Sequence, residues 1–210
     1  MVSLAQAREP DPAPVMAVLG RIEASLRTST YSHVTRVDEA AGRYDFDCSG
    51  MVSWVLRRAA PRAQGAVAWG LTRQPPLARD YYQRIAATRA GRDRYGWRRI
   101  ERVADAQPGD VIAWIKPREI RSPNTGHVAF IVDAPRAVPG SADRFLVRIA
   151  DASSFQHQDD TRAGAGRTGY GRGTILVVTD AQGAPIAYGW AGERSRWVFE
   201  TRIAIGRPVR

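Results

Sequence analysis

Apolar residues recur every three to four positions in the first third of the chain. Val15, Val18, Leu19, Ile22 and Leu26 fall on one face, which predicts an amphipathic helix over residues 14–28 with Asp11 as its cap. The same spacing returns in Met51, Val52, Val55, Leu56 and Ala59, so a second helix is expected over 49–59, with Cys48 at its N-terminal edge. A third is expected over 77–89, entered after Pro75-Pro76 and ended near Gly91. Residues 28–47 keep no period and read as a long loop. From Trp97 the pattern shortens to β-type runs at 97–103, 111–115, 127–132, 145–150, 174–179, 185–190 and 197–205. Gln107-Pro108-Gly109-Asp110 and Asp180-Ala181-Gln182-Gly183 read as tight turns, which favours sequential antiparallel pairing. Helices first and strands later make an α+β pattern. Gly164 to Gly173 reads as a mobile glycine-rich loop.

Composition narrows the chemistry. At 210 residues, 44% apolar and 25% charged, one elaborated domain burying about 70% of its unfolded surface is expected. One cysteine excludes an internal disulfide framework and multi-cysteine metal sites, and three histidines leave little for metal ligation, so no metal or cofactor is expected. The Asp159-Asp160 pair lacks the spaced oxygen ligands of a calcium loop. The formal charge of +10 is almost all arginine, dispersed without a basic block, which disfavours nucleic acid as a partner. The longest apolar stretches, 65–71 and 128–132, fall far short of the ~18 residues of a membrane span. Gly164-Ala165-Gly166-Arg167-Thr168-Gly169 matches a dinucleotide fingerprint formally, but a β-type run follows it instead of a helix, so no dinucleotide site is expected. Most of the six tryptophans fall at core or strand positions, although some could form a sugar-stacking platform.

Asp47-Cys48-Ser49-Gly50 puts the thiol at a helix start, where free N–H groups and the positive dipole end would stabilise a thiolate relative to the ~8.5 of an exposed cysteine. A nucleophile is expected there; a lone cysteine packed as a small hydrophobe is the alternative. Asp47 is expected to satisfy N–H groups of the first turn, Ser49 to cap or line the site, and Gly50 to permit close helix packing.

The order of three segments, Asp47-Cys48-Ser49-Gly50, then Pro108-Gly109-Asp110-Val111, then Gly126-His127-Val128-Ala129 opening a strand, resembles the NlpC-like cell-wall cysteine peptidases of the papain-like CHAP/NlpC superfamily. The resemblance spans about residues 31–154. It implies a papain-like core, with N-terminal helices packed on a mostly antiparallel sheet. It also implies Cys48 as nucleophile, His127 as general base and a polar residue on the next strand that orients the histidine. Asp151 is the candidate for that third position, with His157 as its rival. A carboxylate there would fix the imidazole tautomer and stabilise its protonated form. The oxyanion would meet the Cys48 N–H and, by the same resemblance, an upstream tyrosine: Tyr31, or Tyr44 as runner-up.

The expected function is therefore a cysteine peptidase or amidase using Cys48, His127 and Asp151 on an amide of a peptidoglycan stem peptide, with Tyr31 and Ser49 lining the site. A catalytically silent cell-wall or peptide-binding module and an acyltransferase are the alternatives. The expected organisation is a leader over 1–13 and one catalytic domain over 14–210, with an insertion around 60–97 and a C-terminal β extension over 155–210. The helix around Tyr81-Tyr82 and the loop from Ser153 to Gly173 are expected to wall the cleft. Ala5-Gln6-Ala7 has the small-residue spacing of a signal-peptidase site without the charged and apolar regions before it. Export to the periplasm or cell envelope is expected, with a cytoplasmic location as the alternative.

Overall fold

The computed structural model describes residues 13–162, 164 and 166–209. The expected leader and its Ala5-Gln6-Ala7 step, and the expected cap Asp11, lie outside them. Among the described residues four α-helices are present: α1 (Ala13–Ser25), α2 (Cys48–Ala59), α3 (Pro61–Ala68) and α4 (Ala78–Ala86). Helix α2 begins where expected because Asp47 is its N-cap, accepting from the Gly50 N–H. Helix α3 was not expected; Pro61 at its first position suits a helix start, but its eight residues carry only Ala63, Gln64 and Val67 buried, too few to show a period. Residues 28–47 are not simply a loop: β1 (Arg36–Asp38) and β2 (Arg43–Asp45) pair as a small hairpin.

The remaining strands are β3 (Trp97–Ile100), β4 (Val111–Ile115), β5 (Gly126–Ile131), β6 (Arg136–Ala137), β7 (Arg144–Ser153), β8 (Gly169–Thr179), β9 (Pro185–Gly189), β10 (Phe199–Glu200) and β11 (Ile203–Pro208). They form one antiparallel sheet in the order β10-β9-β8-β7-β5-β4-β11-β3, with β6 on β7. The molecule is thus α+β with a large antiparallel sheet. The expected run 197–205 is two strands on opposite sides of the sheet. β11 inserts between β4 and the edge strand β3, so the C-terminal segment is woven into the same sheet.

Strand alternation divides the interior in two. Val111, Ala113, Val128, Phe130, Ala150 and Ala152 face the helices and pack with Ile22, Met51, Val55, Tyr81 and Ile85. Ile112, Trp114, Ala129, Ile131, Ile149, Ile175 and Tyr188 face the other way, and the sheet curls far enough for β9 to meet β11 across that second core. Tyr81 belongs to the first core, fully buried with its hydroxyl donating to Gln64, so its side chain supports the sheet and does not wall a cleft. No helix among the described residues is long and apolar enough to cross a membrane.

Candidate active site

The site is built where β5 and β7 part. These strands pair at Phe130↔Ala150 and Ile131↔Ile149, and the pairing is not continued toward Val128. The Val132 N–H points toward β7, donating to Arg148, and by the two-residue repeat of a strand so does the Val128 N–H. With no strand partner there, the Val128 N–H meets the thiol of Cys48, brought into the fork by the first turn of α2. Asp47 sets that turn, accepting from Gly50 N at 2.7 Å and Ser49 Oγ at 3.0 Å. Gly126, just before His127, has φ +148°, and a Cβ there would lie 1.8 Å from the Trp114 carbonyl oxygen. Only glycine lets β5 start this close to β4 and present His127 at the rim.

The alternation that turns Val128 and Phe130 to the helices turns His127 to the opposite face, and Asp151 follows in the same way from β7 between Ala150 and Ala152. His127 Nε2 lies 2.7 Å from Asp151 Oδ2, which leaves Nδ1 as the ring atom not engaged by that carboxylate; among the described residues no hydrogen bond joins His127 to the Cys48 thiol, whose neighbours are Asp47, Ser49, Val128 and Asp151. The same carboxylate oxygen also meets His157 Nε2 at 3.0 Å, and Arg162 Nη2 donates to Oδ1 at 3.0 Å. Arg162 is held in turn by Asp160, with Nε and Nη2 donating at 2.8 and 2.7 Å, and by the Gly169 carbonyl. His157 Nδ1 lies 3.0 Å from the Trp190 carbonyl oxygen. The Trp190 ring sits 4.2 Å from the His157 ring and 5.1 Å from that of His127, and the Trp114 ring lies 5.0 Å from His127 beside it.

This cluster explains the glycine-rich segment. Gly169, Gly171 and Gly173 are not in a loop; they occupy alternate positions on β8. A Cβ at Gly171 would lie 2.6 Å from Arg162 Nε, and one at Gly173 would lie 2.5 Å from the Cβ of His157. The strand is stripped of side chains on the face against which the histidine and arginine lie.

Electrostatics set the protonation states. Burial pushes the Cys48 thiol well up, Asp47 and Asp151 add to the rise, and the N–H groups of Val128 and Ser49 only partly offset it. The expectation of a stabilised thiolate is thereby reversed in net direction: desolvation of a thiol within the fork outweighs the helix start. Iodoacetamide is expected to label Cys48 more slowly than free cysteine at neutral pH, with a rate still climbing above the ~8.5 of an exposed thiol. A rate that levels off below that value would show a resting thiolate instead. For Asp151, burial alone would raise the carboxyl. The positive charge of His157 and hydrogen bonds from both histidines overcome it and hold the group well below the usual carboxylate range.

Tyr31 is brought to the same place. Burial first, then the nearby Cys48, Asp47 and Asp151, push its hydroxyl well up, so it remains a proton donor. Its main-chain N–H donates to Thr168 Oγ1. Tyr44 is excluded as its rival, being buried with its hydroxyl 2.6 Å from Ser25 Oγ and its ring against Trp54. The Ser49 hydroxyl is spent on Asp47, so what Ser49 offers the thiol is its main-chain N–H. Asp151 and His157 are not rivals: the Asp151 oxygen that meets His127 also meets His157. Sequence spacing does not place Arg162, Asp160 or Trp190 at this site, although His157-x-x-Asp160-x-Arg162 beside a glycine at every second position is a signal for it.

Among the described residues, the ligand atoms of His127, Asp151 and His157 lie within 4.8 Å of one another, close enough to consider a metal ion. The N···O separations of 2.7 and 3.0 Å are hydrogen-bond lengths, and the carboxylate already carries a guanidinium, so the cluster as it stands is proton-linked.

Fold and site together define an α+β protein whose single thiol sits at a helix start beside a buried histidine–aspartate–histidine–arginine cluster. The chain belongs to the same family as uncharacterized protein R653 of Acanthamoeba polyphaga mimivirus, to which it is 30% identical over 179 residues, covering 77% of this chain and 76% of the viral protein. No family model matches the chain. No solved structure matches it.

Proposed function

We propose that the protein is a thiol hydrolase, a peptidase or amidase on a papain-like, NlpC-type core, acting on an amide of peptidoglycan stem peptides. The observation that carries this reading is the 2.7 Å His127–Asp151 hydrogen bond beside the fork that holds Cys48. Asp151 fixes the ring with Nε2 as donor, so Nδ1 is the lone pair that receives the thiol proton. Because burial keeps the resting thiol neutral, the transfer accompanies attack. The Cys48 sulfur bonds to the substrate carbonyl carbon as its proton moves to His127, and the oxyanion meets main-chain N–H groups and the Tyr31 hydroxyl. His127 then gives the proton to the departing amine as the C–N bond breaks, leaving a thioester. Water, its proton taken by His127, cleaves the thioester to a carboxylic acid and restores the thiol. Export to the cell envelope is part of this proposal, since the substrate lies there.

The test is incubation of the purified chain with muropeptides and mass analysis of the products. New amine and acid termini are expected, with Cys48→Ala about 10⁶-fold slower and His127→Ala slower by at least about 10²–10⁴-fold. The burial of the thiol specifically favours a second reading, a silent module that binds the cell wall. Retention on peptidoglycan without cleavage, equal in wild type and Cys48→Ala, would select it. Product formed only with an added amine or alcohol acceptor would select an acyltransferase.

A further inference from the structure

We infer that His157 is a permanently doubly protonated imidazolium, a fourth member of the site that shares Asp151 with His127 and limits the charge His127 feels. The charge state is read from hydrogen bonding alone; its part in the reaction rests on the hydrolase reading.

The inference follows from what each ring nitrogen faces. Nδ1 meets the Trp190 carbonyl oxygen at 3.0 Å, which can only accept, and Nε2 meets Asp151 Oδ2 at 3.0 Å. A neutral imidazole has one N–H and one lone pair, so either tautomer would set a lone pair against an acceptor oxygen. The His157 side chain is 0% exposed, and no water can relieve that contact from bulk solvent. Placing the missing proton on Asp151 instead conflicts with Arg162, whose guanidinium donates to Oδ1 of the same carboxylate. Charge counting agrees. Arg162, Asp151 and Asp160 are all buried, and a cationic His157 makes two positive and two negative groups where a neutral one leaves an uncompensated anion. The Trp190 ring packs against the same imidazole at 4.2 Å.

The consequence falls on His127. Asp151 holds its ring in place, while His157 and Arg162 consume much of the carboxylate's charge from the other side. His127 is oriented by a carboxylate that is already shared with two other donors, and in the proposed reaction it takes the thiol proton and passes it to the amine. His157 is thus a positioning residue; it touches neither thiol nor substrate.

The test is ¹⁵N spectroscopy of the histidine rings in the intact protein through neutral and mildly alkaline pH. Both His157 nitrogens are expected in the protonated range throughout. An unprotonated His157 nitrogen at neutral pH would overturn the inference, and so would a stoichiometric divalent metal retained by the purified protein, since an ion would then sit where the proton has been placed. This readout needs no turnover, so the hydrolase reading can fail while the inference stands. For the role, His157→Gln is compared with wild type after its fold is verified by circular dichroism. With the cation gone, the acidic limb of the activity profile is expected to move upward by about one pH unit, as follows from losing a charge a few ångströms away. An unmoved limb with a merely lower rate would show a structural role only and overturn the assignment.

Discussion

Asp151→Ala is expected to cost about 3–5 kcal/mol of unfolding free energy, as when one partner of a buried ion pair is removed, and to lower Tm by about 6–20 °C. Asp151 is 0% exposed and is the common partner of His127, His157 and the Arg162 guanidinium. Deleting the carboxylate strands the positive charges of Arg162 and His157 between β7 and β8, where only Asp160 remains to compensate them. It also frees the His127 ring, so hydrolysis should fall with stability. The pH dependence has a definite sign. The folded-state carboxyl titrates well below its ordinary value of about 3.9, so its ionised form contributes stability that is complete above that value and lost as pH falls through the lower folded one. Asp151→Asn should therefore flatten the acid limb of stability against pH. Denaturant unfolding measures both effects. A loss below about 1 kcal/mol for Asp151→Ala would mean that the carboxylate is not the counter-ion of the cluster.

Arg207→Met is expected to have an effect of the same size, about 3–5 kcal/mol, at the far end of the sheet. Arg207 on β11 forks onto Asp110, with Nε donating to Oδ1 at 2.8 Å and Nη2 to Oδ2 at 3.1 Å, and it reaches the Asp105 carbonyl as well. Asp110 is buried at the entry to β4, where it also accepts from the Gln107 N–H in the Gln107–Asp110 turn. Burial raises the Asp110 carboxyl even with Arg207 beside it. A carboxyl raised on folding contributes most when protonated and becomes a cost as pH climbs through its folded value. The deficit of Arg207→Met should consequently be greatest near neutral pH and shrink toward pH ~4, where the abandoned carboxyl takes up a proton. The double variant Arg207→Met, Asp110→Leu should recover most of the loss, because it removes both buried charges together. Equal losses for the single and double variants would show that the arginine matters through packing alone.

What the chain declares locally is a matter of period and caps. The 3.6-residue repeats of α1 and α2, the short β-type runs of β4, β5 and β9, and the Asp47 cap that starts α2 at Cys48 are all properties of neighbours in sequence. The turn at residues 180–183 is of the same kind: Gly183 donates to the Asp180 carbonyl with φ +84°. That Cys48 would begin a helix and His127 a strand could be read from such patterns. Lateral order could not, because strand alternation says which residues share a face but not which strand lies alongside. The insertion of β11 between β3 and β4 pairs residues about a hundred positions apart, and nothing near Ile203 announces it.

The site divides along the same line. Sequence determined the residue types, the helix start under the thiol and the glycine spacing of β8. Tertiary structure decided that β5 and β7 fork where the thiol enters, and that His127 and Asp151 share a face. It also decided that His157 and Arg162 close on the same carboxylate against the bared strand, and that the thiol is buried. The physical reason is that desolvation and charge pairing act through space: a thiol whose helix start favours ionisation is pushed the other way by the strands that close around it.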